Sequence, residues 1–90
     1  MEFEWDWRKA ERNRRKHGVT FDEAVTIFFD PRELMIDDPG HSVAEERFLS
    51  LGMSSDGRLL VVGYTERGST IRLIVARRAT PPEWMDYEHA

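Results

Sequence analysis

The chain has 90 residues, of which 40% are hydrophobic, enough for a single domain spanning residues 1–90 with one modest core. Its 13 Lys and Arg against 17 Asp and Glu give a net charge of −4, which disfavours a protein that coats nucleic acid through bulk charge. The absence of cysteine excludes a disulfide framework and a thiol nucleophile. No apolar run approaches the roughly 20 residues of a membrane span, so we expect a cytoplasmic protein without membrane contacts.

The N-terminal third is predicted to form a strand and two helices. Residues 2–5 alternate as a short strand does, and Asp6 is a suitable N-cap for a helix that ends at Gly18. Thr20, with Glu23 three residues later, predicts a capping box for a second helix over residues 21–29. The apolar stripe of this second helix, which we expect to form the helical side of the core, comprises Phe21, Ala24, Val25, Phe28 and Phe29.

The rest of the chain indicates an antiparallel sheet followed by a short helix. A loop is expected at 37–43, and strands are predicted at 34–36, 46–53, 59–65 and 70–78. Thr80, Pro81 and Glu83 then have the pattern of a helix start, for a helix over 81–87. The predicted fold is α+β: two N-terminal helices, an antiparallel sheet of three to five strands and a short C-terminal helix. Helix 21–29 should cover one face, leaving the other as a concave binding surface.

Charge is distributed unevenly, and the last strand holds the most conspicuous cations. Residues 1–18 contain six Lys and Arg against four acids, and residues 47–79 contain six against two. In the segment 71–79, IRLIVARRA, regular alternation would place Arg77 on the face of Leu73 and Val75, and Arg78 on the face of Arg72. Two rigidly held guanidinium groups suit a phosphate ligand. The alternative is that both arginines are solvated or paired with acids.

The side chains available for chemistry are compatible with RNA cleavage without a metal, although residues of these types occur in most domains. The three histidines, at 17, 41 and 89, lack metal-ligand spacing, and neither a Gly-rich phosphate loop nor a nucleophile motif is present. Arginine can stabilise charge on a phosphorane, while His, Glu, Lys or Tyr can transfer protons. Aromatic rings such as Tyr64 can stack on bases. The residues that could serve are Lys16, His17, Arg47, Tyr64, Arg72, Arg77, Arg78, Glu83 and Tyr87.

Several sequence elements together resemble the BrnT toxins, almost from end to end of the chain. These elements are Trp5-Asp6, Lys9-Ala10, Asn13, Lys16-His17-Gly18-Val19, Phe21, Glu23-Ala24, Phe28, Arg47, Gly52 and the block Ile71-Arg72…Ala76-Arg77-Arg78-Ala79…Glu83…Tyr87. The resemblance implies a RelE-like fold and a metal-independent endoribonuclease that inhibits translation as half of a type II toxin–antitoxin pair. It implies no cofactor. It also implies a BrnA-like antitoxin partner with a ribbon-helix-helix part, through which alone the complex contacts DNA.

The resemblance also suggests roles for individual residues. It implies catalytic roles for Arg77, Arg78, Arg47 and His17, and RNA-binding roles for Lys16 and Arg72, whereas an RNA-binding role for Tyr64 follows from base stacking. The alternative for Lys16 and His17 is that they only complement the dipole at a helix end. The sequence departs from the family pattern at two positions. Val75 stands where the family strand commonly has Ser, in ISARRA, and Trp7 stands where Pro often follows Trp-Asp. Both departures leave open an attenuated toxin.

Two other functions compete with that of a toxin ribonuclease. One is a non-catalytic interaction module that acts mainly through antitoxin binding and regulation of its own operon. The other is direct DNA binding by this chain alone, which the net charge of −4 and the lack of a recognition-helix motif disfavour.

Overall fold

The computed structural model describes residues 1–37 and 46–90. The loop predicted at 37–43 therefore lies, apart from Asp37, outside the described residues, as does His41. The elements follow one another as β1 (Glu2–Glu4), α1 (Trp7–His17), α2 (Phe21–Val25), a 3₁₀ turn (Thr26–Phe29), β2 (Leu34–Ile36), β3 (Phe48–Met53), β4 (Leu59–Arg67), β5 (Thr70–Arg78) and α3 (Pro81–Glu88). The predicted α+β order of elements is confirmed.

The five strands form one mixed sheet in the order β1-β5-β4-β3-β2. Strands β2 to β5 are the predicted antiparallel meander, but β1 pairs in parallel with β5, with Phe3 opposite Ile71. The prediction of a fully antiparallel sheet was therefore wrong for the first strand. This pairing joins segments nearly 70 residues apart along the chain, and such pairing leaves no local trace in a sequence.

Helix ends were predicted from local signals, and most of these signals hold. Asp6 accepts hydrogen bonds from the first turn of α1, and Gly18 ends that helix with a φ of 70°. Thr80 and Glu83 form a complete capping box at α3. Thr20 caps α2, but the Glu23 side chain turns away to bind Arg58 and Ser54, so the second predicted box is only half formed.

The helix predicted at 21–29 tightens into a 3₁₀ turn after Val25. A 3₁₀ turn has three residues rather than 3.6, so the apolar stripe rotates. Ile27 is consequently buried and Phe29 is 73% exposed, which corrects the expectation that Phe29 lies in the core.

The sheet has one face covered by α1, α2 and the 3₁₀ turn, which we call the helical face. Its core comprises Val19, Phe21, Ala24, Ile27, Leu60, Val62, Tyr64, Ile71, Leu73 and Ala76. A smaller cluster lies on the other face, where Tyr87 of α3 packs with Leu51, Leu59 and Val61. We call this second side the α3 face.

A β-bulge in β5 reverses the side-chain alternation within that strand. Tyr64 of β4 lies opposite Leu73 and Gly63 lies opposite Val75, so Ile74 has no partner in β4. Beyond the bulge, Arg77 lies opposite Val61 on the α3 face and Arg78 lies opposite Leu60 on the helical face. The predicted face assignments of Arg77 and Arg78 were therefore wrong, because one inserted residue flips every later side chain.

Candidate active site

A groove lies between one stripe of α1 and strand β5, and we call it the α1–β5 groove. Its volume is about 380 Å³, within the range of small-molecule sites. The residues that line it are Lys9, Arg12, Asn13, Lys16, His17, Ile74 and Val75. The five α1 residues recur at intervals of three and four, which places them on one side of a helix. The groove thus has a polar, cationic wall and an apolar floor.

Among the residues that the structure describes, the cations of this wall have no acidic partner. Glu11 holds Arg14 at 2.6 Å and Arg15 at 3.3 Å, away from the groove. Within residues 1–37 and 46–90, Lys9, Arg12, Lys16 and His17 take part in no salt bridge. Basic residues in the last turn of α1 also complement the helix macrodipole, which accounts for part of this cluster. The macrodipole does not account for Lys9 in the first turn, so the groove presents positive charge along the helix.

Arg77, at the end of β5, is held by α3. Its two terminal nitrogens each donate to a carboxylate oxygen of Glu83 at 2.9 Å. This bidentate bond and a backbone bond from Thr80 lower the pKa of Glu83 to about 2, and the same carboxylate raises the pKa of Arg77. Arg77 lies two residues beyond Val75, a groove residue on the same face, at a strand distance of about 7 Å. The guanidinium is thus rigidly held on the α3 face, at the end of the strand that contributes to the groove.

Arg78 occupies a different environment from its neighbour. Its side chain is exposed, and in the described part of the chain it forms no ion pair. The carboxylate of Glu23 binds Arg58, and this bond is the main cause of the lowered pKa of Glu23. The charge of Arg78 lowers the same pKa to a smaller extent. Arg58 also donates to the carbonyl of Gly18, at 3.2 Å. Arg78 therefore lies in the same region as the C-terminal end of α1, with its charge available.

Two other predicted arginines do not line the groove. Arg72 lies on the α3 face and binds Glu4 at 2.6 Å. Arg47 is exposed immediately before β3. Of the seven predicted site residues, the structure brings Lys16 and His17 into the groove and Arg77 and Arg78 to the end of its strand. Arg47 and Arg72 are separate.

Tyr64 is part of the core, whereas the sequence analysis predicted that its ring stacks on RNA bases. The side chain is 4% exposed on the helical face, with its ring against Phe28 and Phe48. Its hydroxyl is hydrogen-bonded to Ser50 at 3.0 Å, and burial raises the pKa of the phenol. A ring enclosed in this way offers no face to an RNA base, so its assignment to base stacking is corrected.

Sequence reasoning did not select three groove residues, Lys9, Arg12 and Asn13, as site residues. The spacing of Lys9, Arg12 and Lys16 was a usable signal, because it places three cations on one side of a predicted helix. Asn13 gave no comparable signal, since its partners lie on β5 and beyond the helix end. Among residues 1–37 and 46–90, no three His, Asp or Glu side chains cluster as a metal site would require.

Taken together, the fold and groove define a class: a small α+β protein whose strand β5 and first helix form a cationic surface fit for a polyanion. The family model described as ribonuclease toxin, BrnT, of type II toxin–antitoxin systems matches residues 5–83. The chain belongs to the BrnT family of ribonuclease toxins, and that membership implies an antitoxin partner.

A solved structure agrees with this assignment at the level of fold. The crystal structure of the Brucella abortus ribonuclease toxin BrnT aligns with a TM-score of 0.69 and 20% sequence identity. The alignment covers 89% of this chain and 97% of that one. A search among curated protein sequences found no match. No helix in the described part of the chain is long and apolar enough to cross a membrane.

Proposed function

We propose that this BrnT-family chain cleaves RNA in the α1–β5 groove without a metal and thereby inhibits translation in the cytoplasm. One observation carries the proposal: four basic side chains of α1, including His17, face one groove and have no acidic partner among the described residues. Uncompensated cations of this kind attract the phosphates of a single strand of RNA. A titratable imidazole among them can add proton transfer to binding.

The proposed reaction transfers a phosphoryl group within the RNA strand, from the 5′-oxygen of one nucleotide to the 2′-oxygen of the preceding nucleotide. The 2′-oxygen attacks the adjacent phosphorus and loses its proton. The bond from phosphorus to the 5′-oxygen breaks, and that oxygen gains a proton. His17 is the group we assign to one of these proton transfers. Lys16 and Arg12 stabilise the charge that builds on the phosphorane oxygens, and Arg77 and Arg78 bind phosphates of the same strand near the end of β5. Arg47 and Arg72 hold flanking phosphates outside the groove.

We further propose that the antitoxin is BrnA-like, with a ribbon-helix-helix part that supplies all contact with DNA. The net charge of −4 supports this division, because the chain alone is a poor ligand for duplex DNA. The groove is the surface that such a partner must cover in order to prevent cleavage.

A specific observation favours a second candidate, an attenuated toxin that acts mainly through antitoxin binding. Val75, in place of the family's Ser, is one of the residues that line the groove, so the substitution falls at the proposed site. An apolar group there removes a hydroxyl that could bind phosphate.

The test is cleavage of an RNA oligonucleotide by the purified chain in EDTA, beside His17→Ala, Lys16→Ala and Arg14→Ala. Arg14 is the matched control, because it removes one charge from the same helix turn but is paired with Glu11. We expect His17→Ala to lower kcat by about 10² to 10⁴. Lys16→Ala should lower kcat about tenfold, the effect of one charge-assisted bond made in the transition state. Arg14→Ala should behave as wild type. Unchanged cleavage by His17→Ala, or equal losses in all three variants, would remove the groove from the reaction.

A further inference from the structure

The inference concerns Asn13, a groove residue whose side chain is directed into the protein. Asn13 is only 6% exposed although it lies on the cationic stripe of α1. Its carboxamide oxygen accepts from the backbone N–H of Ala76 at 3.0 Å, and its nitrogen donates to the carbonyl of Ala76 at 2.8 Å. One side chain thus satisfies both backbone groups of one residue of β5.

The two bonds to Ala76 take the place of the hydrogen bonds that a neighbouring strand would make at this point of β5. β1 pairs only with residues 70–72 of β5, so in the described structure no strand adjoins the rest of that edge. Buried backbone groups at such an edge need partners, and an amide offers the same donor and acceptor as a peptide. Asn13 therefore extends the sheet by one residue, just beyond the bulge at Ile74.

The same side chain also fixes the end of α1. Its nitrogen donates to the carbonyl of Val19 at 3.0 Å, immediately after Gly18, which ends the helix. Lys16 and His17 lie between Asn13 and this second attachment, and Ile74 and Val75 precede Ala76. Three hydrogen bonds of one carboxamide thus connect the cationic wall of α1 with β5 and with the segment that follows the helix.

We infer that Asn13 is the positioning residue of the α1–β5 groove, holding Lys16 and His17 at a fixed distance from strand β5. The inference rests on the proposed function of the groove. Asn13 touches neither the phosphate nor the transferred protons; it acts through the geometry of the residues that do. A displacement of about 1 Å in such residues can lower a rate by 10²-fold.

The first experiment compares Asn13→Ala with Ser50→Ala, using kcat and KM for the RNA oligonucleotide well below the thermal midpoint of each variant. Ser50 is a matched control because it is fully buried and bonded to Tyr64 on β4, outside the groove. We expect Asn13→Ala to lose about 10²-fold in kcat with little change in KM, and Ser50→Ala to retain wild-type kcat. Equal kcat losses in the two folded variants, or no loss in Asn13→Ala, would overturn the inference.

The second experiment uses Asn13→Asp, in case the alanine variant does not fold. A protonated carboxyl group has one donor and one acceptor, so it can restore the pair of bonds to Ala76. An ionised carboxylate, buried against two carbonyl oxygens, cannot, and this environment raises the pKa of the new carboxyl group. We expect the kcat of Asn13→Asp, relative to wild type, to rise as the pH is lowered. A constant ratio across pH would contradict the inference.

The two hypotheses fail in different ways. If His17→Ala cleaves as well as wild type, the groove is not the site and the proposed function fails, whatever Asn13 does. If His17→Ala is inactive while a folded Asn13→Ala is fully active, the proposed function stands and only the positioning role is lost.

Discussion

The carboxylate of Glu83 binds both terminal nitrogens of Arg77, each at 2.9 Å, and accepts a third bond from the backbone N–H of Thr80 at 2.8 Å. One acid therefore caps α3 and attaches this helix to the C-terminal end of β5. Only 17% of the Glu83 side chain is exposed, so this pair is better shielded than a surface salt bridge. The attachment keeps α3 beside the strand that forms the groove floor.

This pair predicts an acid-sensitive contribution to stability. The pKa of Glu83 falls from 4.5 to about 2 on folding, so its contribution is complete above about pH 4.5 and is lost as the pH falls towards 2. Since Arg77 is 35% exposed, solvent screening reduces this contribution to about 1–2 kcal/mol. We expect Glu83→Gln to be less stable than wild type by that amount at pH 7.

Urea unfolding at pH 7 and at pH 2.5 measures this effect. The difference between wild type and Glu83→Gln should shrink at the lower pH, because the wild-type carboxyl group is then partly protonated. Asp86→Asn is the control, since Asp86 is exposed on the same helix. A difference that is the same at both pH values, or that Asp86→Asn reproduces, would show that the Arg77 pair is not its source.

Arg77 and Arg78 should contribute alike to cleavage but differently to stability. Alanine at either position should lower kcat/KM at least tenfold, because each removes a phosphate-binding guanidinium. Arg77→Ala also leaves the shielded Glu83 carboxylate unpaired, at a cost of about 2 kcal/mol. Arg78 is exposed and unpaired within the described residues, so Arg78→Ala should unfold as wild type does.

Single-turnover cleavage and urea unfolding separate these two contributions. The double variant Arg77→Ala/Glu83→Ala should recover part of the stability, since no unpaired carboxylate remains, but none of the cleavage. An Arg77 or Arg78 variant that cleaves as fast as wild type would place that arginine outside the site.

The features that could be predicted are those encoded within a few residues. The caps at Asp6, Gly18 and Thr80, and the bounds of β5, depend on neighbouring positions and were visible in the sequence. The bulge at Ile74 was not visible, because it depends on the register of β4, and it moved Arg77 and Arg78 to the opposite faces. The bonds of Asn13 join residues 63 positions apart, so nothing near Asn13 in the chain indicates them.

Tyr64 gives a prediction that separates core packing from RNA binding. Tyr64→Phe keeps the ring against Phe28 and Phe48 but removes the hydroxyl bonded to Ser50. Since Ser50 is fully buried, the loss of its partner should lower the free energy of unfolding by about 1–2 kcal/mol. RNA affinity should remain within twofold of wild type. A folded Tyr64→Phe variant with much weaker RNA binding would restore Tyr64 to the binding surface.

Arg12 predicts how RNA binding depends on salt. If Arg12 contacts one phosphate in the groove, Arg12→Ala should reduce the slope of log K against log salt by about 0.7, the value for one phosphate of a single strand. Arg15→Ala is the control, because Arg15 carries the same charge on the same helix but pairs with Glu11. Fluorescence anisotropy with a short RNA, from 50 to 300 mM salt, gives both slopes. Equal slopes for the two variants would show that the groove makes no special phosphate contact.

Val75 gives the sharpest test of whether the groove floor limits activity. Val75 is one of the residues that line the groove, and its side chain packs so closely over Gly63 that a Cβ there would lie 2.7 Å from a Val75 methyl carbon. Val75→Ser removes this contact, which should lower the free energy of unfolding by about 1 kcal/mol. It also adds a donor to a floor that otherwise presents Ile74 and apolar carbon, and a phosphate oxygen in the groove can accept a hydrogen bond from that donor.

We therefore expect Val75→Ser to cleave RNA with a kcat several-fold higher than that of wild type. Val75→Ala removes the same bulk without adding a donor and should show no such gain. A rate increase in both variants would assign the effect to space rather than to the hydroxyl, and no increase in either would show that Val75 does not attenuate the enzyme.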